Sequence, residues 1–274
     1  MNPATISAFL GGRLQLAQPA KGHRAGTDAV LLGACPSPVA GETVYDLGAG
    51  VGSAGLAVAL RFPGCRVRLV EIDPAIAALA RANVEANGLA ARVDVLETDV
   101  TARLAKGGPL EPASAGHVIM NPPFHLSGTV RPPPDAYRSG AHIHGEEGDE
   151  AWIRCAHGLL EPKGMLSMIH RADALPRLLA ALGRRFGDIR VKPVQPHANE
   201  TAMRILIRAQ RDSRAPFVLL PPLVMHQIDG SFTPEAEALH HGEGGVDWQA
   251  RAASSTKKPS GSNASGELQE KTET

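Results

Sequence analysis

Asn121-Pro122-Pro123-Phe124 follows directly on the apolar run Val118-Ile119-Met120, so the asparagine closes what reads as a strand. Those residue types in that order suit one chemistry. An amine conjugated to a base is a poor nucleophile, because its lone pair is delocalised into the ring. A site that accepts both of its N–H bonds holds the nitrogen towards tetrahedral geometry and frees the lone pair for attack. The side-chain oxygen of Asn121 can accept one bond and the carbonyl of Pro122 the other. Pro123 keeps its neighbour extended and brings no competing N–H, and Phe124 offers a flat surface for a base. The plainer reading is a proline-stiffened turn with a buried phenylalanine, and the rest of the chain decides between the two.

The second chemical feature is the glycine turn "DLGAGVGSAG", Asp46 to Gly55. It holds two overlapping patterns. Gly50-x-Gly52-x-x-Gly55, with Glu71 downstream, matches the dinucleotide fingerprint. Asp46-x-Gly48-x-Gly50-x-Gly52 matches the turn of S-adenosylmethionine (SAM) methyltransferases. A pyrophosphate wants backbone N–H groups and no carboxylate nearby. SAM has no phosphate but carries an ammonium and a sulfonium, so an acid such as Asp46 favours it. Gly48, Gly50 and Gly52 would let the backbone pass close to the cofactor, and Gly55 would let a helix pack tightly on the sheet. Glu71, ending the next strand, is placed for both ribose hydroxyls, and Asp99, ending the one after, for the adenine amine. Against this, a glycine cluster is often only a tight turn, and Asp73 and Asp99 each suit a helix cap.

These residues need a scaffold that brings strand ends together, and the chain supplies one. Strand-like runs alternate with helical ones: "ETVYDLGAG", Ser53–Phe62, "CRVRLVEID", Asp73–Gly88, "RVDVLETD" and "HVIM". After a polar loop from His125 to Asp149 come a helix near Glu150–Leu160, the strand "GMLSMIH", and a helix near Asp173–Arg185. Two strands follow, near Ile189–Val194 and Ala202–Ala209. Short βα connections predict an α/β fold with a doubly wound, mostly parallel sheet, and the last two strands, joined without a helix, predict one antiparallel member. Open sheets of this kind bind ligands at the carboxyl ends of the strands, where Asp46, Glu71, Asp99 and Asn121 fall. Residues 1–38 form an N-terminal flank with a hairpin, 39–211 the core, 212–241 an extension with a short helix starting near Ser231 or Thr233, and 242–274 a tail. The Gly, Ser, Lys and Glu content of that tail predicts disorder, most clearly over Ser254–Thr274.

Composition narrows the function further. The formal net charge is zero, which excludes a protein that coats nucleic acid but leaves room for a local patch; Arg131 and Arg138, after the Asn-Pro-Pro-Phe motif, suit phosphate contacts. The three isolated cysteines, Cys35, Cys65 and Cys155, point to a reducing cytoplasm. No apolar run reaches the length of a membrane span, and the first residues lack the pattern of a signal peptide. His142-x-His144 and His240-His241 have no third ligand at suitable spacing, so no metal is expected.

On "GHRAGTDAVLLGA" (Gly22–Ala34), "DLGAGVGSAG", "EID", "NPPF" and "DGSFTPEAEAL" (Asp229–Leu239), the chain resembles the SAM-dependent amino-group methyltransferases with an Asn-Pro-Pro-aromatic motif. More narrowly it is similar to the bacterial tRNA adenine-N6 methyltransferase family that modifies valine tRNA next to the anticodon, over residues 5 to 241. The resemblance implies a seven-stranded sheet with the last strand antiparallel, an RNA substrate, and a role for Thr27 and Asp28 in covering the cofactor or shaping its entrance. From the residues alone, Asp28 is equally an acid near the start of a capped helix. The amine chemistry also suits a glutamine amide in a protein, or an adenine or guanine amine in other RNA or DNA. A nucleotide-binding dehydrogenase is disfavoured by Asp46, and a non-catalytic binding module by Asn121.

Overall fold

The structure is a computed structural model that describes residues 4–20, 25–123, 146–183 and 185–249. It opens with the expected hairpin, β1 (Ala4–Phe9) paired antiparallel with β2 (Leu14–Pro19), and then α1 (Thr27–Gly33). The core runs β3 (Thr43–Leu47), α2 (Ser53–Arg61), β4 (Arg66–Glu71), α3 (Pro74–Ala86), β5 (Val93–Glu97) and β6 (Ala115–Met120). It continues as α4 (Glu146–Leu159), β7 (Leu160–Arg171), α5 (Leu175–Leu182), β8 (Phe186–Gln195) and β9 (Arg204–Arg211).

These seven core strands stand in the order β8-β9-β7-β6-β3-β4-β5. All neighbours are parallel except β9, which runs antiparallel to both β7 and β8. Both faces are covered, so the central strands read as unbroken apolar runs; every residue of β6 is buried. Alternate side chains enter two separate cores: Ile119, Leu69 and Leu56 pack on the face of α1 and α2, while Val118, Met120, Tyr45 and Met168 pack on the face of α4 and α5. Strand order reverses between β3 and β6, and this opens a crevice above their carboxyl ends.

Helix α3 shows how the local sequence sets an element. Asp73 Oδ1 accepts from the N–H groups of Ala75 (2.8 Å) and Ile76 (3.1 Å), Pro74 occupies the first turn, and Gly88 follows the end at φ +66°. Its buried Asn83 accepts from Ala17 N (2.7 Å) and donates to Val51 O (2.9 Å), tying the hairpin to the glycine turn.

Three expectations change. Among the described residues the sheet has nine strands rather than seven, because β10 (Val218–Leu219) and β11 (Leu223–Val224) add in parallel to the outer edge of β8. Pro221 and Pro222 interrupt that run and offer no N–H, so each piece is two residues long and lies at an edge. The extension then forms α6 (Pro234–His240), capped by Thr233 as expected.

The second change concerns the tail, whose start at 242 is set too early. Val246 and Trp248 are buried; Val246 N donates to Ala34 O (3.0 Å) and Trp248 Nε1 to Cys35 O (3.0 Å). Arg190 and Lys192 donate to the carbonyls of Trp248 and Asp247. Two apolar anchors hold a segment whose composition otherwise reads as solvent-loving; the expected disorder of Ser254–Thr274 lies outside the described residues. The third is smaller: the helix expected from Asp173 starts at Leu175, after a short 3-10 turn. No helix among the described residues is long and apolar enough to cross a membrane.

Candidate active site

The glycine turn joins β3 to α2 and lines the crevice. Gly48, Gly50 and Gly52 have φ of +66°, +57° and +90°, a region that side chains with a Cβ disfavour. Each is also distinguished by what surrounds it. A Cβ on Gly48 would come within 2.4 Å of the Trp152 ring from α4, and one on Gly52 within 2.8 Å of Leu69. Over Gly50, nothing among the described residues lies within 4 Å of where a Cβ would stand. The turn therefore has one bare stretch of backbone facing the crevice, held from below by packing.

Glu71 fixes that stretch. Its Oε2 accepts from Gly50 N (2.9 Å) and its Oε1 from Asp73 N (2.9 Å), and the half-buried carboxylate keeps further lone pairs for a ligand. Asp99, at the end of β5, accepts from Thr101 N (2.7 Å) in a local turn and is also half-buried. It caps no helix.

Asp46 departs from expectation. It was expected to face a ligand ammonium, yet it is 2 % exposed and points under the turn, where Oδ2 accepts from Gly55 N (2.8 Å) in the first turn of α2. The first-turn N–H groups of a helix lack backbone partners and attract a carboxylate, and Asp46 serves one of them. Burial pushes its carboxyl up to about 7; the Gly55 N–H opposes the rise and the neighbouring Glu71 adds to it.

Asn121 follows β6 at the same edge, one strand from Asp46. Its side-chain oxygen is buried and has no hydrogen-bond partner among the described residues. Pro122 is buried beside it; Phe124, Arg131, Arg138, His142 and His144 lie outside the described residues. Thr27 and Asp28 open α1 at the same edge. Asp28 pairs with Arg204 (3.0 Å) at the start of β9, and Thr27 Oγ1 lies 3.4 Å from His240 Nε2 on α6. Helix α1 has no side-chain cap, so the capped-helix reading does not describe it. Among the described residues no three His, Cys, Asp or Glu side chains gather as a metal site.

The structure thus gathers Gly50, Glu71 and Asn121 around one crevice, with Thr27 and Asp28 on its flank, and sets Asp46 beneath it. Trp152 escaped the sequence reading, and Arg204 reads there only as one of a run of basic residues. Trp152 had one signal, as one of two tryptophans in an aromatic-poor chain. The residues fit SAM on two observations: a cradle over Gly50 that a Cβ would fill, and the Glu71 carboxylate that holds this backbone and keeps lone pairs for a ligand.

The family model for the methyltransferase small domain matches residues 25–193. A tRNA1(Val) (adenine(37)-N6)-methyltransferase of Porphyromonas gingivalis is 31% identical over 246 residues, covering 85% of this chain and 92% of that protein. One of the same name from Yersinia pestis is 29% identical over 219 residues, covering 77% and 83%. Among solved structures, a predicted O-methyltransferase from Agrobacterium tumefaciens aligns with TM-score 0.68 and 34% identity, over 80% of this chain and 98% of that one. The Thermus thermophilus 16S rRNA N2 G1207 methyltransferase, solved with AdoMet and guanosine, shares the fold at TM-score 0.52 and 22% identity, over 76% and 50%.

Proposed function

The chain belongs to the methyltransferase small domain family, and on that premise we propose that this SAM-dependent enzyme methylates the N6 amine of an adenine in tRNA. The observation that carries this reading is the side-chain oxygen of Asn121. A buried acceptor without a partner costs about 1–3 kcal/mol, and here it stands at the edge of the crevice. It gains its partner when an amine N–H arrives.

SAM supplies an electrophilic methyl group when bound. Glu71 would accept from the ribose hydroxyls, Asp99 would accept from the adenine amine of the cofactor, and the bare backbone at Gly50 would let the cofactor approach closely. Thr27 and Asp28 border the entrance. Asp46 holds the turn from beneath. On the substrate side, Asn121 Oδ1 and the Pro122 carbonyl accept hydrogen bonds from the two amine N–H groups. Both contacts strengthen as the nitrogen becomes positive, so they favour the transition state over the ground state. Phe124, next in the sequence motif, would offer its ring to the base. An alcohol acceptor offers one proton where this pair of acceptors takes two, which favours an amine over a hydroxyl. The three cysteines are buried and unpaired, in keeping with a tRNA substrate in a reducing cytoplasm.

The test is transfer from labelled SAM by the purified protein, with total tRNA and a protein extract offered in parallel. Label is expected in tRNA as N6-methyladenosine. Asn121→Ala is expected to keep SAM affinity and lose roughly 10²–10³ in rate, and Asn121→Asp to retain more activity than the alanine variant. Label in protein alone, or a wild-type rate for Asn121→Ala, would refute the reading.

A further inference from the structure

The last rung of the sheet beside Asn121 is left open, and a buried histidine holds it open. In a sheet, alternate residues of a strand turn their backbone groups to one neighbour and the rest to the other. Ala172 N donates to Met203 O (3.3 Å), just past the β7–β9 pair Arg171–Arg204. The even-numbered residues at this end of β7 therefore face β9, and Arg171 turns its N–H towards β6. On β6, Met120 pairs with Met168. Two residues further on, the same register sets Pro122 beside His170, and the Arg171 N–H opposite the Pro122 carbonyl. A bond between the two would be the next rung.

That rung is not made. His170 Nδ1 accepts from Arg171 N at 2.8 Å, and among the described residues none donates to the Pro122 carbonyl. Pro122 itself has no N–H for the Ile169 carbonyl, which faces it in this register. A backbone N–H can only donate, so Nδ1 is bare and the ring proton sits on Nε2. Nε2 lies 3.5 Å from Oδ1 of Asp149, in the first turn of α4. Asp149 Oδ2 accepts in turn from Arg177 Nε on α5, at 2.6 Å. His170 is fully buried and Asp149 is buried with it. A charge pair taken out of water gains little over apolar side chains of the same volume, so stability is a poor account of this chain of groups. What it does fix is which nitrogen of His170 is bare and where that nitrogen stands.

Resting on the reading above, in which the Pro122 carbonyl accepts from the substrate amine, we propose that His170 is a positioning residue for methyl transfer. By taking the Arg171 N–H it stops β7 from closing on the Asn121-Pro122 strand end and keeps the Pro122 carbonyl free for the amine. Asp149 and Arg177 hold the ring in the form that can do so. A carbonyl engaged by Arg171 would be turned into the sheet, and would serve the amine less well as its nitrogen becomes positive.

The first test needs no substrate. Nitrogen NMR of the labelled full chain should show His170 protonated on Nε2 and bare on Nδ1; a proton on Nδ1 overturns the proposal. The second is steady-state kinetics on the substrate that the wild-type enzyme methylates. In His170→Asn the side-chain oxygen stands where Nδ1 stood, so this variant should keep most of kcat. In His170→Gln the amide reaches the Nε2 position instead, and the Arg171 N–H is released towards Pro122. Its kcat should fall at least about tenfold, towards the 10²–10³ cost of losing one hydrogen-bond partner at a reacting group, with SAM affinity and KM for the substrate unchanged. His170→Leu, which also lacks the acceptor, takes its place if the Gln variant fails to bind SAM. Equal kcat in the variants with and without the acceptor, whether both stay high or both fall, overturns the positioning role. If Asn121→Ala nevertheless loses its rate, the amine reading stands without it. Methyl transfer to no amine by the wild type overturns both.

Discussion

Gly55 offers a quantitative test of how the glycine turn is held. It lies in the first turn of α2, where alanine is intrinsically better than glycine by about 1 kcal/mol. Its φ is not in the left-handed region, so no backbone penalty applies. On local grounds Gly55→Ala should stabilise. The surroundings forbid it: a Cβ there would stand 2.2 Å from Leu69 Cδ2, 3.0 Å from Asp46 Oδ2 and 3.2 Å from Val67 Cγ1. Leu69 is fully buried and Val67 with it, so the helix must lift or Leu69 must leave its rotamer. Overpacking of this kind costs roughly 1–3 kcal/mol, and crowding the Asp46–Gly55 hydrogen bond adds about 1 kcal/mol. The net expectation is a loss of about 1–3 kcal/mol, with weaker SAM binding because the turn moves with the helix. The assay is urea denaturation of four proteins: wild type, Gly55→Ala, Leu69→Ala and the double variant. Leu69→Ala alone should cost about 2–5 kcal/mol. In that background the new methyl enters the vacated space, so Gly55→Ala should cost nothing or stabilise. Additivity within about 0.5 kcal/mol, or a stabilised single variant, would refute the packing argument.

Two other measurements follow from named contacts. Because the buried Asp46 carboxyl is raised to about 7, the neutral form is favoured in the folded state, and its contribution is complete below the unfolded value near pH 4 and lost as pH rises through 7. Asp46→Asn stays neutral throughout, so urea melts from pH 4 to pH 8 should show the wild type losing up to about 4 kcal/mol relative to the variant; parallel profiles would contradict the buried, protonated carboxyl. Trp248→Ala removes a buried side chain and its bond to Cys35 O, which should cost about 3–5 kcal/mol and lower Tm by roughly 10 °C; an unchanged Tm would mean the strap contributes nothing.

The alternation of elements was legible because short apolar runs, a helix bounded by Asp73-Pro74 and Gly88, and short connections all agreed on one topology. The edge on which Glu71, Asp99 and Asn121 gather followed from strand ends alone. What escaped depended on competition or distance. Asp46 sits at the right strand end, but whether it faces up to the crevice or down to the α2 N–H groups is decided by a helix start that spacing does not rank. Trp152 over Gly48 and Trp248 on Cys35 join residues far apart in the chain, and such contacts leave no local pattern. The two short strands on β8 were hidden by the prolines that keep them short.

The bond from Trp248 to Cys35 O spans 213 positions and has a bearing on how the protein is made. During synthesis the amino-terminal part emerges and begins to fold first. Helix α1, which borders the cofactor entrance, meets its last packing partner only when Val246 and Trp248 leave the ribosome. Closing so long a loop late in folding is slow relative to local contacts, though its entropic penalty grows only with the logarithm of length. A chain interrupted before Val246 therefore carries nearly every site residue and still leaves the end of α1 open to water, a mark by which proteases can tell it from a chain that has added Trp248.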